Sequence, residues 1–264
     1  MRNWVTGLMA CVAACVALCP AASAQGSGTG YTNTVYDKLD LGPGGPAPRQ
    51  ELTGVWAGPI GGQAGDDPSF TDLGKQLFDM NKPEAQYNVS GTNDPFFRTC
   101  DPLGFPRNML FETRGVAFAT MADRIVVLSQ YQRIWREILM DGSELPKDAG
   151  QRGGADSRYY GYSVGRWEGD NTLVVDTVGL DPNTWLNNAG YPHSVDAHIR
   201  ERYVRLNRNH LELTITLTDP KLYTRPFVLA TNKFKWIPDQ RFDEQLCIPS
   251  QVLDYLQFIA DPAQ

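Results

Sequence analysis

The sequence contains few histidines and fewer basic than acidic residues, and both features disfavour certain classes of function. Three histidines occur among 264 residues, and 24 Lys and Arg stand against 30 Asp and Glu, so the formal net charge is -6. An acidic chain lacks the positive surface that follows a phosphate backbone, so we expect no nucleic-acid partner. Neither a Gly-x-Gly-x-x-Gly turn nor a Gly-Lys-Ser/Thr loop follows a predicted strand, which disfavours enzymes that use nicotinamide, flavin or ATP.

Long apolar runs are also scarce. An apolar run at residues 4–18 is followed by the small residues Ala22 and Ala24, an order typical of a secretory signal peptide. We expect residues 1–24 to be cleaved after Ala24, which predicts a periplasmic or secreted mature protein without a membrane span. The second interpretation, a lipoprotein signal ending at Cys15, is disfavoured because the residues after that cysteine stay hydrophobic.

Cysteine is nearly absent from the predicted mature chain. Three of the five cysteines lie within the signal peptide, which leaves Cys100 and Cys247. Two thiols in an oxidising compartment usually pair, so we predict a disulfide between them. Neither has a neighbouring histidine in the sequence, which disfavours a nucleophilic thiolate.

The predicted mature chain changes character once. Residues 25–50 are rich in Gly, Pro, Ser and Thr and are predicted to form an extended arm. Residues 51–264 contain short β-type segments separated by turn signals, with no shift in composition, and are predicted to form a single domain. In residues 210–218, for example, leucine or isoleucine alternates with polar residues, which is typical of a strand with one buried face.

These segments predict an all-β fold. About eight antiparallel strands with one apolar face hide that face best in a closed meander barrel, and two open sheets packed as a sandwich are the fallback. Helical periodicity is limited to Asp72 to Asn81, which follows Thr71 as a possible N-cap, and Pro249 to Ile259. We therefore expect an antiparallel barrel with one or two short helices.

Two resemblances bear on this fold. The sequences at residues 162–177, 190–194 and 201–203 resemble a family of secreted bacterial proteins known chiefly as uncharacterised, over roughly residues 95–240. That resemblance implies one domain and an extracytoplasmic location, and it implies no established activity. The opening Gly54-Val55-Trp56 resembles the Gly-x-Trp opening of lipocalin-type barrels, which implies a lipocalin-like or calycin-like barrel.

The densest cluster of titratable side chains lies at residues 193–202. Histidine titrates near neutral pH, and a neighbouring carboxylate fixes its tautomer, as proton transfer requires. We therefore predict His193 as a general acid or base at the end of a loop that covers a cavity, with Asp196 orienting its ring and His198 facing the same side. The alternative interpretation is a loop histidine that hydrogen-bonds to backbone groups.

The same cluster offers a metal site as a minority alternative. His193 and His198, with Asp196 or Glu201, have donor atoms that zinc or another divalent ion takes. Their His-x4-His spacing matches neither one helical turn nor two strand residues. We therefore expect no metal and no other cofactor.

A second set of residues predicts where a substrate binds. Arg166 shares a strand face with Tyr160 and Tyr162, and we expect that face to point into the barrel lumen, where the guanidinium holds an anionic or oxygen-rich ligand. Trp135 and Glu137 alternate in the same way on an earlier strand and are expected to line the same cavity. The alternative is that these aromatic residues are ordinary core packing.

Two functions therefore stay open. The first is a secreted, cofactor-independent enzyme, a lyase, isomerase or hydrolase, that holds a small organic substrate in the barrel and moves a proton with His193. The second is a lipocalin-like protein that binds or carries a small molecule without catalysis. The polar cluster favours the enzyme and the Gly-x-Trp opening favours the carrier, and the sequence leans narrowly to the enzyme.

Overall fold

The chain forms a closed β-barrel in which the order of the strands in the sheet is their order in the chain. The structure is a computed structural model that describes residues 41–81, 93–110, 115–239, 241, 245–255 and 257. In these ranges the barrel has nine strands: β1 (Gly54–Ala64), β2 (Gly115–Thr120), β3 (Arg124–Ser129), β4 (Trp135–Leu139), β5 (Tyr162–Glu168), β6 (Thr172–Val178), β7 (His198–Arg205), β8 (His210–Thr218) and β9 (Phe227–Trp236). The predicted all-β barrel is confirmed, and the sandwich is not formed.

One junction departs from the predicted antiparallel meander. β4 and β5 are parallel and pair only through Ile138 with Ser163 and Leu139 with Val164, whereas every residue of β7 pairs with β8. Two parallel neighbours need a connection that crosses back along the sheet, so residues 140–161 return over the barrel wall before β5 begins. Periodicity carries no information on strand direction, and the sequence therefore did not reveal this junction.

Alternation sorts side chains between the lumen and the outer wall. Four aliphatic side chains of β8 are buried, as their spacing predicts: Leu211, Leu213, Ile215 and Leu217. The lumen also holds an ion pair between Arg136 of β4 and Glu201 of β7, whose Nη2 and Oε2 atoms are 2.6 Å apart. The Arg136 guanidinium lies 4.0 Å from the ring centre of Phe105. Packed side chains thus occupy the space in which a ligand was predicted.

A tryptophan pair closes the end of the barrel at which β1 begins. The guanidinium of Arg205 lies 5.0 Å from the ring of Trp56 and 6.0 Å from the ring of Trp236. Arg205 also donates hydrogen bonds to the backbone oxygens of Glu51 and Arg208. The cation therefore ties the chain before β1 to the turn between β7 and β8.

The opposite end is closed by residues 93–110 and by the loop of residues 179–197. Arg107 donates to both carboxylate oxygens of Asp94, over 2.9 and 2.6 Å, and its Nε donates to Asn188. Its guanidinium lies 5.5 Å from the ring of Trp185. This buried cluster connects the first segment to the loop that carries His193.

Short helices and a disulfide complete the described chain. The predicted helices are present as α1 (Asp72–Met80) and α3 (Pro249–Tyr255), and Thr71 caps α1 by accepting from the Gly74 N–H. A further helix, α2 (Pro95–Thr99), starts after the N-cap Asp94. Cys100 ends α2 and forms a disulfide with Cys247, which confirms the predicted pairing.

The predicted signal peptide, residues 1–24, and most of the predicted arm lie outside the described residues. Residues 41–50 contain no helix or strand, and the Asn209 side chain donates to the backbone oxygens of Leu41 and Gly42. None of the helices in the described ranges has the length and apolar character that crossing a bilayer requires. The cleavage site and the single domain over residues 51–264 stay predictions.

Candidate functional site

His193 is buried in the loop that closes the barrel end. Its side chain is 3% exposed, its Nε2 lies 2.9 Å from Oγ1 of Thr184, and its Nδ1 lies 3.2 Å from the backbone oxygen of Ser194. Because a carbonyl oxygen only accepts, Nδ1 carries the hydrogen. Burial lowers the pKa of His193, although the Ser194 carbonyl and the charge of Asp219 oppose it. Burial therefore favours the neutral ring, and both nitrogens lie against protein atoms.

Asp196 does not orient His193. Its carboxylate accepts from the Gln151 side chain at 3.0 Å and pairs with Lys221 at 2.6 Å. The carboxylate that holds the His193 loop is Asp219, which accepts from the backbone N–H and the hydroxyl of Ser194. The predicted pairing is wrong because the turn after His193 directs Asp196 to the outside. A catalytic role for His193 stays a prediction that this geometry does not favour.

His198 lies on the outer wall instead of facing His193. Its Nε2 is 2.8 Å from Oδ1 of Asp176, and its neighbour Ile199 occupies the buried position of β7. Partial burial acts to raise the pKa of Asp176, but hydrogen bonds from Arg200 and Arg166 outweigh it and lower the pKa. His198 therefore belongs to a network of polar and charged side chains around Asp176 on the outer wall.

Arg166 belongs to that network too, which corrects its predicted position in the lumen. Its side chain is 53% exposed and pairs with Asp176 at 3.0 Å and with Glu168 at 3.1 Å. Ser163 takes the buried position of β5, and residues at odd and even positions face opposite sides. The Arg166 guanidinium therefore points away from any ligand in the barrel.

We predict that His193→Gln makes the loss of stability in acid less steep. Because the folded protein holds the pKa of His193 below its usual 6.5, the unfolded chain takes up a proton below that pH that the folded chain does not. The contribution of the neutral His193 ring to the free energy of unfolding is complete above pH 6.5. Below that pH the free energy of unfolding decreases as the pH falls, by up to about 1.4 kcal/mol per pH unit.

Urea unfolding at about pH 7.5, 6.5 and 5.5 measures this slope for the native protein and for the variant. His210→Gln, at the first residue of β8, is the control because it changes a histidine outside the buried loop, and it should keep the native slope. Equal slopes for the native protein and His193→Gln would contradict the prediction.

Four of the predicted binding residues border one cavity. Trp135, Glu137, Tyr160 and Tyr162 all line a space of about 520 Å³. Trp135 and Glu137 occupy exposed positions of β4, so the cavity opens on the outer wall, over the junction of β4 and β5, and the predicted location in the lumen is wrong. We call this cavity the lateral groove; its other lining residues are Arg136, Leu139, Glu144, Leu145, Pro146, Ser157, Arg158, Tyr159, Gly161, Ser163 and Val164.

The parallel junction explains why the groove forms there. β4 and β5 pair over two residues only, and the connection that crosses back over the wall supplies the opposite side of the groove. Hydrogen bonds hold this connection: Arg158 N–H donates to the Gly179 carbonyl at 2.9 Å, and the Tyr162 hydroxyl donates to the Asp156 carbonyl at 2.9 Å. Gly161 has a φ of 64°, and a Cβ there would lie 2.7 Å from the backbone oxygen of Val178.

Aromatic rings and charges share the lateral groove. Trp135 is 60% exposed and Tyr159 is 40% exposed, while burial raises the pKa of Tyr160 well above its usual value. The Arg158 guanidinium lies 4.1 Å from the ring centre of Tyr162. Glu137 accepts from Arg124 at 2.9 Å, so its charge is compensated.

A second cavity of about 350 Å³ adjoins the lateral groove. Leu145 and Pro146 line both cavities, and Asp196 lines the second one. His193 lines neither. In the described part of the chain, no group of three or more His, Cys, Asp or Glu side chains is placed to hold a metal ion, and His193 and His198 have separate partners.

Sequence reasoning missed the residues that the crossing connection brings to the groove. Glu144, Arg158 and Tyr159 line it and lie between β4 and β5 in the structure, and none of the three was predicted as a site residue. A Leu-Pro pair at residues 145–146 and the cluster Arg-Tyr-Tyr at residues 158–160 indicate a folded connection. Their proximity to β4 depends on the direction of β5, which periodicity does not give.

Comparison with models of known protein families found no match, and comparison with curated proteins found none. The resemblance to a family of secreted bacterial proteins therefore stays a prediction.

Proposed function

We propose that the protein binds or carries a small, ring-bearing organic molecule in the lateral groove. The observation that carries this proposal is the exposure of Trp135 and Tyr159, at 60% and 40%, on the wall of a cavity of about 520 Å³. A large aromatic side chain that is exposed to solvent contributes little to the stability of the fold. When the ring of a ligand packs against it, the same side chain contributes substantially to the free energy of binding. The volume of the cavity lies within the range of small-molecule sites.

This proposal takes up the binding function that the sequence left as the alternative to an enzyme. A proton-transfer group needs a nitrogen or oxygen that reaches the substrate, whereas both nitrogens of His193 lie against Thr184 and Ser194 within a buried loop. Binding in the groove needs no such group. The Cys100 to Cys247 disulfide supports a periplasmic or secreted location for this binding, because cytosolic disulfides are rare.

We expect the native protein to bind the amphipathic probe 8-anilinonaphthalene-1-sulfonate and to raise its fluorescence. Trp135→Ala should weaken that binding about tenfold, because it removes the most exposed ring of the groove and the loss of one such contact is worth on the order of 1.4 kcal/mol. Fluorescence titration at constant protein concentration gives both dissociation constants.

Met121→Ala is the matched control for this titration. Met121 is 56% exposed but is not among the residues that line the groove, so its loss should leave probe binding unchanged. Equal affinities for the native protein, Met121→Ala and Trp135→Ala would refute the proposed site. Circular dichroism of the three proteins establishes that each one is folded.

A further inference from the structure

Two charged side chains of the lateral groove have no ionic partner among the residues that the structure describes. Arg158 and Glu144 both line the groove and are exposed, and they form no ion pair with each other. Other charges nearby are compensated, since Glu137 pairs with Arg124 and Arg166 pairs with Asp176. The groove therefore offers one separate cation and one separate anion.

Arg158 is held in place before any ligand arrives. Its guanidinium lies over the ring of Tyr162 at 4.1 Å, and the hydroxyl of that ring is fixed by the Asp156 carbonyl. Its own backbone N–H is bound to the Gly179 carbonyl. Stacking leaves the N–H edge of a guanidinium available, and a planar fork of N–H groups matches a carboxylate. Binding costs less when the side chain is already ordered.

Glu144 lies near the start of the connection of residues 140–161, whereas Arg158 lies near its end. It is exposed, and it directly precedes Leu145 and Pro146, which line the groove as well. A carboxylate attracts an ammonium group, and the remaining surface of such a ligand packs on the apolar residues beside it. Together with Trp135 and Tyr159, the lining thus offers three kinds of contact: a cation, an anion and exposed rings.

Resting on the proposed binding function, we propose that the ligand is a zwitterion with an aromatic side chain, either a free α-amino acid or a short peptide. Its carboxylate binds Arg158, its ammonium group binds Glu144, and its ring packs against Trp135 and Tyr159. A ligand with one charge compensates only one of the two partnerless groups. A neutral aromatic ligand compensates neither of them.

Four compounds test this charge complementarity. L-phenylalanine and L-alanyl-L-phenylalanine carry both charges, L-phenylalanine amide lacks the carboxylate, and N-acetyl-L-phenylalanine lacks the ammonium group. Isothermal titration calorimetry of the native protein near neutral pH should rank one of the two zwitterions first, and the preferred zwitterion separates a free amino acid from a peptide. The amide and the acetylated compound should each bind about threefold or more weakly, in line with the modest strength of exposed ion pairs.

Two variants assign the charges to residues. Arg158→Gln should lower the affinity for the preferred zwitterion about threefold or more. It should leave the affinity for the amide unchanged, because the amide has no carboxylate for Arg158 to bind. Glu144→Gln should weaken the same zwitterion and leave N-acetyl-L-phenylalanine unchanged. Arg152→Gln and Asp148→Asn are matched controls, since both residues are exposed in the same connection and are not among the lining residues. The controls should bind every compound as the native protein does.

The outcomes separate this inference from the proposed function. If Trp135→Ala weakens the naphthalene probe while the phenylalanine compounds bind equally or not at all, the groove binds rings and the zwitterion inference is overturned. If the charge variants weaken all compounds alike, it is overturned as well. If neither the probe nor any phenylalanine compound binds, the proposed function falls with it.

Discussion

Asp94→Asn should lower the free energy of unfolding by about 3–5 kcal/mol, because it leaves the guanidinium of Arg107 buried without its opposite charge. The side chains of Arg107 and Asp94 are 2% and 1% exposed and are joined by two hydrogen bonds. Asparagine keeps the size of the side chain and still accepts from the Phe96 N–H as an N-cap. The change removes the charge and also places an amide NH2, which only donates, where Oδ2 accepts from Arg107 Nη2.

Urea unfolding followed by circular dichroism measures the loss. Asp79→Asn is the matched control, because Asp79 pairs with Lys75 on the exposed face of α1, and an exposed pair is worth at most about 1 kcal/mol. The double change Asp94→Leu with Arg107→Met should recover much of the stability, since it removes both charges and keeps apolar volume. A loss for Asp94→Asn as small as for Asp79→Asn would contradict the assigned burial.

Replacing Cys100 and Cys247 together by serine should cost up to about 5 kcal/mol of unfolding free energy, according to the loop-entropy model. The two cysteines are 147 residues apart in the sequence. The bond therefore closes a long loop and lowers the conformational entropy of the unfolded chain. Cys100 ends α2, whose start is held by the buried Asp94. The bond therefore links a segment of the closed barrel end to the chain before α3.

Guanidinium unfolding of the native protein and of the double serine variant under oxidising conditions measures this effect. The internal control is dithiothreitol, which should destabilise the native protein by a similar amount and leave the serine variant unchanged. Alkylation of both cysteines in the unfolded, unreduced protein would show free thiols and would contradict the disulfide. An equal unfolding midpoint for the two proteins would show that the bond does not stabilise the fold.

Strand positions followed from the sequence where the two faces of a strand differ in polarity. In β8, every second residue is leucine or isoleucine and the residues between them are polar, so the buried face was determined before the structure. In β5, the face of Tyr162, Val164 and Arg166 and the face of Ser163 and Trp167 both mix polar and apolar residues. Period-two alternation shows which residues share a face, but such a mixed strand does not show which face is inside. This is why Arg166 was assigned to the wrong side.

The role of His193 illustrates a different limit. Its neighbours in sequence, Asp196 and His198, are its predicted partners, whereas its actual contacts include Thr184 in the same loop. Asp219, which follows β8, holds the residue next to it. A cluster of titratable residues in a sequence indicates available chemistry, but burial decides whether that chemistry reaches a solute. Burial depends on what the rest of the chain places over the loop.

By itself, the sequence determined the barrel, the disulfide and the position of most strands, because alternating polarity, turn residues and the number of cysteines are local properties that persist in any compact arrangement. Tertiary structure alone decided where a ligand is able to bind. The lateral groove exists because β5 runs parallel to β4, which sends residues 140–161 back across the outer wall and brings Arg158 and Glu144 to the same cavity as Trp135. Strand direction is set by how distant segments pair, and no local pattern encodes it.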